Sequence, residues 1–382
     1  MTGSPILGLS GAIADQTDQT DGPDGTGSLD AAVPWHFGDP FAEQRAAART
    51  VAVVDRSHRE VIAVTGKDRL SWLHLVLSQH LTELPEGGGT EALVLDSQGR
   101  VDAHLVLGYA DGAVWLDTEA GASTAAAIGK GRQSLLDYLV AMRFWSEVDI
   151  TDATADRAVL TLVGPRTAEL LASVGLPVPD GAYATAVADG VVVRRMPWPG
   201  KDSADLLVPR TALVDWWRRL TGAGARPMGS WGFEAMRVES VRPRAGLDTD
   251  DRTIPHEVNW VPSAAHVAKG CYRGQETVSK VHNIGRPPRR LVLLHLDGSP
   301  EVLPATGDPI RDGERVVGRV GTVARHHELG PIALALVKRS VPADAELVAG
   351  DGDERVQAAI DEDTVLPDTV GPGRAAARGL RG

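Results

Sequence analysis

The only cysteine in the 382-residue chain, Cys271, lies in the stretch KGCYRGQE, residues 269–276. A thiol acts as nucleophile or metal ligand in its thiolate form, so the charge around it decides its chemistry. Two neighbours could supply positive charge. Lys269 lies two positions away. The residues after the cysteine, roughly Tyr272 to His282, read as a helix ended by Asn283–Ile284–Gly285, and Pro287 bars its continuation. A sulfur before a helix feels the positive end of its dipole. The alternative is a small, inert packing residue, the usual fate of a free cysteine.

Other chemistry is closed by what the chain lacks. One cysteine rules out an internal disulfide framework, a cysteine-based zinc site and a permanent four-cysteine iron–sulfur cluster. The sequence contains no phosphate-binding loop, dinucleotide fingerprint, HExxH zinc helix or GxSxG nucleophile elbow. The eleven histidines show no ligand spacing, and adjacent His326 and His327 would point to opposite faces of a strand. A formal net charge of −12 repels nucleic acid and anionic membrane, so neither is an expected partner. No run of 18 apolar residues occurs. The opening residues lack the basic start of a secretion signal, and a cytoplasmic location is the default. Polar composition predicts a disordered arm to about residue 30 and a disordered tail from about Pro367.

The elements that must position Cys271 come in three blocks. From Trp35 to Asp152, VIAVTGKD reads as a strand and Leu70, Leu73, Leu77 and Leu81 follow at helical spacing. Two or three strands come next, with turns at Gln98–Gly99 and Asp111–Gly112, then an Ala-rich helix over roughly 121–140. A weak internal repeat follows. LTLVGPRTAELL (160–171) resembles DLLVPRTALVDWW (205–217), each a strand, a Pro-Arg-Thr turn and an amphipathic helix. With VVVRRM between them, the order is that of a ferredoxin-like split βαβ unit. After RPPRR (286–290), short apolar runs broken by Gly and Pro predict a small antiparallel barrel or sandwich.

KGCYRGQE followed by RPPRRL resembles the signature of the YgfZ family of folate-binding proteins, which are similar to the T-protein, the aminomethyltransferase of the glycine cleavage system. TIPHEVNW, RVESVRPRAGLD and GRVGTVARHHELGPIALALVKR also look like family segments, in the same order. The resemblance runs from about residue 35 to 365. It implies a three-domain α+β GcvT-like fold around a central folate cavity. The first domain would be discontinuous, over 31–154 and 231–285, with a ferredoxin-like domain at 155–230 and a β-barrel at 286–366. It implies tetrahydrofolate or a derivative as cofactor.

The T-protein holds the pterin edge with the glutamate of a YTGEDGFE-like motif. WPGKDSAD (198–205) resembles it and places Asp205 there, one methylene shorter. A carboxylate could accept two adjacent N–H groups in a fork; otherwise Asp205 is a solvated strand-edge residue. Arg237 and Glu239, in RVES, resemble an arginine and a glutamate of the T-protein's RLEAG segment. Arg237 would then meet a folate carboxylate, or else serve a structural ion pair. Trp198 would stack on the cofactor or fill the core. The same resemblance adds Tyr272 and Gln275 to the cofactor contacts. One departure stands out. Where the T-protein carries an acidic pair with its catalytic aspartate, DSQGRVDAHL offers Ala103 and His104, with Asp102 one position early and on the opposite strand face.

The leading expectation is a folate-binding accessory factor for assembly or repair of iron–sulfur enzymes, including radical enzymes that modify tRNA. Its partners would be folate and iron–sulfur client or carrier proteins. No stable metal site is implied; Cys271 would be one ligand of a transient, shared cluster or a nucleophile in sulfur exchange. The competing readings are a folate-dependent aminomethyl or one-carbon transferase, and a non-catalytic folate sensor.

Overall fold

The computed structural model describes residues 3–15, 28–126, 130–200, 202–283, 285–299, 302–352 and 354–365. Three sheets organise them. The first has five antiparallel strands in the order Gly89–Leu95, Val101–Ala110, Ala113–Thr118, Glu60–Thr65, Asp149–Asp152. Asp111 and Gly112 both adopt positive φ (53° and 71°), as a two-residue hairpin of primed type requires. The helix Arg69–Val76 lays Leu73 on this sheet, with Leu77 and Leu81 after it, against Leu105, Leu107 and Leu116. The Ala-rich stretch is not one helix. Ser123–Ala125 and Arg132–Ser134 pair as a small hairpin, and only Leu135–Ala141 is helical. Gly121 and Gly131 sit at φ of 72° and 106°, which a helix interior does not allow; residues 127–129 lie outside the described set.

The second sheet carries the repeat. Its order is Thr185–Ala188, Val191–Met196, Ser203–Pro209, Arg157–Val163, Ala52–Asp55, Arg226–Met228. The helices Thr167–Ser173 and Leu213–Gly222 follow their strands as the repeat requires, burying Leu170, Trp216 and Trp217 against Leu160, Leu162 and Leu206. Thr185–Ala188, Arg226–Met228 and Ala52–Asp55 were not foreseen, and the last comes from the most distant block. Ala52–Asp55 inserts between Arg157–Val163, antiparallel, and Arg226–Met228, parallel. The block expected to open the first domain therefore contributes a strand to the ferredoxin-like sheet.

The arm expected to be disordered to residue 30 is ordered in the parts described. Pro5–Gly8 forms a 3-10 turn, Ile6 is fully buried in the second core, and Ser4 Oγ donates to Asp55 at 2.5 Å. The short apolar run PILGL is outweighed in composition by the polar residues after it, of which 16–27 lie outside the described set. The tail from 366 onward lies outside it too.

Six strands close the third sheet into a barrel: Arg289–Leu296, Gly330–Lys338, Arg315–His326, Pro309–Asp312, Glu346–Ala349 and Val356–Ile360. The architecture is thus α+β with a ferredoxin-like middle sheet and a C-terminal barrel. The helix Ser230–Glu239 packs on the helix Pro40–Arg49 and on the barrel strand Arg315–His326. The chain after it joins the first sheet to the barrel through a core of Leu93, Leu95, Trp260, Tyr272, Leu291 and Leu334.

Candidate functional site

Cys271 is exposed. Its surroundings differ from the sequence expectation. The helix begins at Gln275, not Tyr272, so the sulfur is separated from it by a turn and gains no place at its first amide groups. Gly274 sets that turn at φ 80°, and a Cβ there would lie 2.6 Å from Gly99 Cα. Lys269 is buried. Its ammonium donates to the carbonyls of His74 and of Leu77, the latter at 2.6 Å, which caps the helix Arg69–Val76. Burial lowers its pKa to about 8. Lys269 is therefore committed to a helix end. Gln275 Nε2 donates to Lys269 O at 2.8 Å, and the Tyr272 hydroxyl to His266 O at 3.1 Å, so both hold the loop rather than open onto a ligand. Beside the loop three histidines converge: the rings of His74 and His80 are 4.8 Å apart, and those of His80 and His266 5.6 Å. A Cβ on Gly270 would lie 3.9 Å from His74 Nε2. Among the described residues, no three His, Cys, Asp or Glu side chains are arranged to hold a metal ion.

A second polar centre lies inside, around Glu91. Its side chain is 0% exposed. Oε1 accepts from the Tyr183 hydroxyl at 2.5 Å, from Trp198 Nε1 at 2.8 Å and from Arg242. Oε2 faces His104 Nε2 at 3.5 Å. Burial pushes this carboxyl up, but His104, Arg242 and Tyr183 outweigh it and hold the group well below the usual carboxylate range. His104 stacks on Trp260, with ring centroids 4.8 Å apart and planes 6° from parallel. Arg56 lies over the Phe233 ring at 4.6 Å and reaches the Trp198 ring at 5.8 Å. Its guanidinium is 91% buried, yet its nearest carboxylate, Asp205, is 4.0 Å away. Burial and the neighbouring Arg59 lower its pKa to about 10.

A chain of buried ion pairs runs on from there. Asp205 accepts from Thr161 Oγ1 at 2.7 Å and from Arg194 at 2.7 Å. Arg194 also holds Asp117 at 2.5 Å, Asp117 holds Arg59 at 2.6 Å, and Arg59 meets Glu119 at 2.5 Å. Arg244 links Glu119, Asp30 and Glu234 at 2.8, 2.8 and 3.4 Å. Arg237 bonds Glu234, Asp248 and barrel Thr322 at 2.6, 2.9 and 2.6 Å. The network thus stitches both open sheets to the barrel.

Of the residues expected from sequence to hold the cofactor, Trp198 alone reaches the Glu91 centre directly; His104, noted only as a departure from the acidic pair, reaches it too. Asp205 is neither solvated nor free: each oxygen already has a donor. Arg237 is the structural ion-pair partner, its donors spent on protein groups. Glu239 is 47% exposed and faces His326 at 3.4 Å. Asp102 is the extra residue where the strand register shifts, and its carboxylate accepts from Ala125 N at 3.0 Å and from Arg132 at 2.9 Å. Glu91, Arg56, Tyr183 and Arg242 were missed. DRSHRE, residues 55–60, looks like a solvated turn, yet Asp55 to Arg59 are all buried. Five polar residues between two apolar strands were the available signal.

This arrangement defines a class of fold, that of the aminomethyltransferases. The chain is similar to glycine cleavage system aminomethyltransferase T from Bartonella henselae, with a TM-score of 0.79 over 96% of both chains at 19% identity. Residues 31–261 match the family model of the GCVT N-terminal domain, and residues 289–363 that of the CAF17 C-terminal beta-barrel domain. The chain belongs to the GCVT N-terminal domain family and carries a CAF17-type barrel. It is 26% identical to an aminomethyltransferase of Rippkaea orientalis, across 81% of this chain and 84% of that one. It is 28% identical to the aminomethyltransferase of Rubrobacter xylanophilus, across 80% and 81%. The match to that of Nitrosococcus oceani, at 26%, spans 63% of the relative's length. No helix among the described residues is long and apolar enough to cross a membrane.

Proposed function

We propose that this protein binds a reduced folate against the Glu91 centre and supports assembly or repair of iron–sulfur enzymes through Cys271. The observation that carries the folate half is a set of buried polar groups left short of partners beside two aromatic faces. Trp260 Nε1 has no hydrogen bond among the described residues, Glu91 Oε2 and His104 Nε2 meet only each other, at 3.5 Å, and the nearest carboxylate to the Arg56 guanidinium is 4.0 Å away. Such groups cost free energy unless something pairs with them. A pteridine offers donors, acceptors and a flat ring in one molecule, and the residues present fit it. Trp198 would stack, while Arg56, His104 Nδ1 and Trp260 Nε1 would bond its edge. Asp205 is a weaker candidate for that edge than the sequence suggested, because Arg194 and Thr161 already hold it.

Reduced folate supplies carriage of one-carbon units when bound. The iron–sulfur half rests on the exposed Cys271 of KGCYRGQE beside the histidine trio. The remaining ligands of any cluster would come from a client or carrier protein in the cytoplasm. The transferase reading is supported by the relatives' names and opposed by Ala103–His104 at the acidic pair. A strain lacking its own family member tests the proposal. Wild-type protein should restore iron–sulfur enzyme activity, and neither Cys271→Ser nor Trp198→Ala should. Full rescue by both variants would end it.

A further inference from the structure

His104 and Glu91 lie on neighbouring antiparallel strands, Glu91 opposite Val106 and Leu93 opposite His104. Residues paired in this way share a sheet face, so the two side chains are diagonal neighbours. Their facing atoms, His104 Nε2 and Glu91 Oε2, are 3.5 Å apart, and neither has another partner. Both ends of the pair are fixed. Trp260 lies parallel to the imidazole at 4.8 Å. Tyr183, Trp198 and Arg242 fix the carboxylate through its other oxygen. An ionised carboxylate at this place takes a proton on the nitrogen facing it, and that leaves the far ring nitrogen, Nδ1, with its lone pair free. Nδ1 itself makes no hydrogen bond among the described residues.

We propose that His104, oriented by Glu91, is a proton-transfer residue of the ligand site, with Nδ1 as the atom that takes and returns the proton. Glu91 is its positioning residue. In the step a proton leaves a ligand nitrogen and joins Nδ1, while the Nε2 proton stays between His104 and Glu91. No heavy-atom bond changes and no oxidant or reductant is needed. The identity of the ligand rests on the folate reading above; the tautomer rests on geometry alone.

Two measurements test this. In nitrogen-15 spectra of histidine-labelled full-length protein, with His104→Gln for assignment, His104 should show the Nε2–H tautomer, and Glu91→Gln should abolish the preference. An Nδ1–H tautomer in the wild type overturns the proposal, even should Glu91→Gln fail to fold. Nitrogen-15 spectra of the tetrahydrofolate complex then follow the transfer itself. In the wild-type complex His104 should carry protons on both ring nitrogens, whereas in the free protein Nδ1 should be bare. A complex in which Nδ1 stays unprotonated overturns the proton-transfer role while leaving folate binding intact. A wild type that takes up no tetrahydrofolate overturns the folate reading and this role with it, while the tautomer result stands.

Discussion

Glu91 and Trp198 stand 107 positions apart and are joined by one hydrogen bond of 2.8 Å, from the indole N–H to Oε1. That bond ties the first sheet to the loop ahead of Ser203–Pro209 in the second. Trp198→Phe keeps the ring and removes the donor. With a hydrogen bond to a buried anion worth about 2 kcal/mol, unfolding in urea should show a loss of that size. An unchanged midpoint would mean the bond carries no load.

Asp205 calls for a different experiment from the one its motif suggests. Removing one partner of a buried pair costs about 3–5 kcal/mol, because the remaining charge is left uncompensated. Asp117 still holds Arg194, so Asp205→Ala should fall at the low end of that range. The variant should melt well below the wild type whether or not folate is present. Calorimetry alone would mistake this for a binding defect, and a melting curve separates the two.

Acid should weaken the protein through the same network. Asp117 has its carboxyl lowered to about 2: burial pushes it up, but Arg194 and Arg59 outweigh that. A depressed carboxyl contributes stability above its unfolded value of about 4 and loses it as pH falls through the folded value. The stability that the wild type holds over Asp117→Asn should therefore be steady from pH 7 to about 5, then shrink between about 4 and 2. A difference that holds across that lower window would show the pairs to be weaker than their distances imply.

Gly274 gives a way to disturb Cys271 without touching it. It sits at φ 80°, and a Cβ would lie 2.6 Å from Gly99 Cα and 2.7 Å from Asp96 O. Both neighbours are backbone and cannot yield cheaply. Gly274→Ala should cost about 1–3 kcal/mol and displace the loop. Rescue by this variant in the strain described above should fail although the thiol is intact. Cys271→Ser, on an exposed residue, should stay within about 0.5 kcal/mol of the wild type.

Local patterns carried much of the fold. The Pro-Arg-Thr repeat announced the ferredoxin-like sheet because each half is a strand and helix whose periodicity is written in adjacent residues. The broken apolar runs after Arg290 announced the barrel for the same reason. Ala52–Asp55 was not legible as part of the second sheet, since its partners lie more than a hundred positions away. The site was harder still. Asp205, Arg237 and Trp198 could be picked out by motif, but whether their polar atoms are free depends on Arg194, Glu234 and Glu91, which no local pattern names. Lys269 shows the same limit: its charge is used by carbonyls at 74 and 77, not by the thiol two residues on.

The central claim is that a reduced folate binds against Trp198 beside Glu91, and titration calorimetry of tetrahydrofolate into the full-length protein tests it most directly. Wild type should bind with one saturable site. Trp198→Ala, which removes a stacking face, should bind at least about tenfold more weakly, a difference of about 1.4 kcal/mol. No saturable binding to the wild type, or equal affinity in a folded Trp198→Ala protein, would contradict the account.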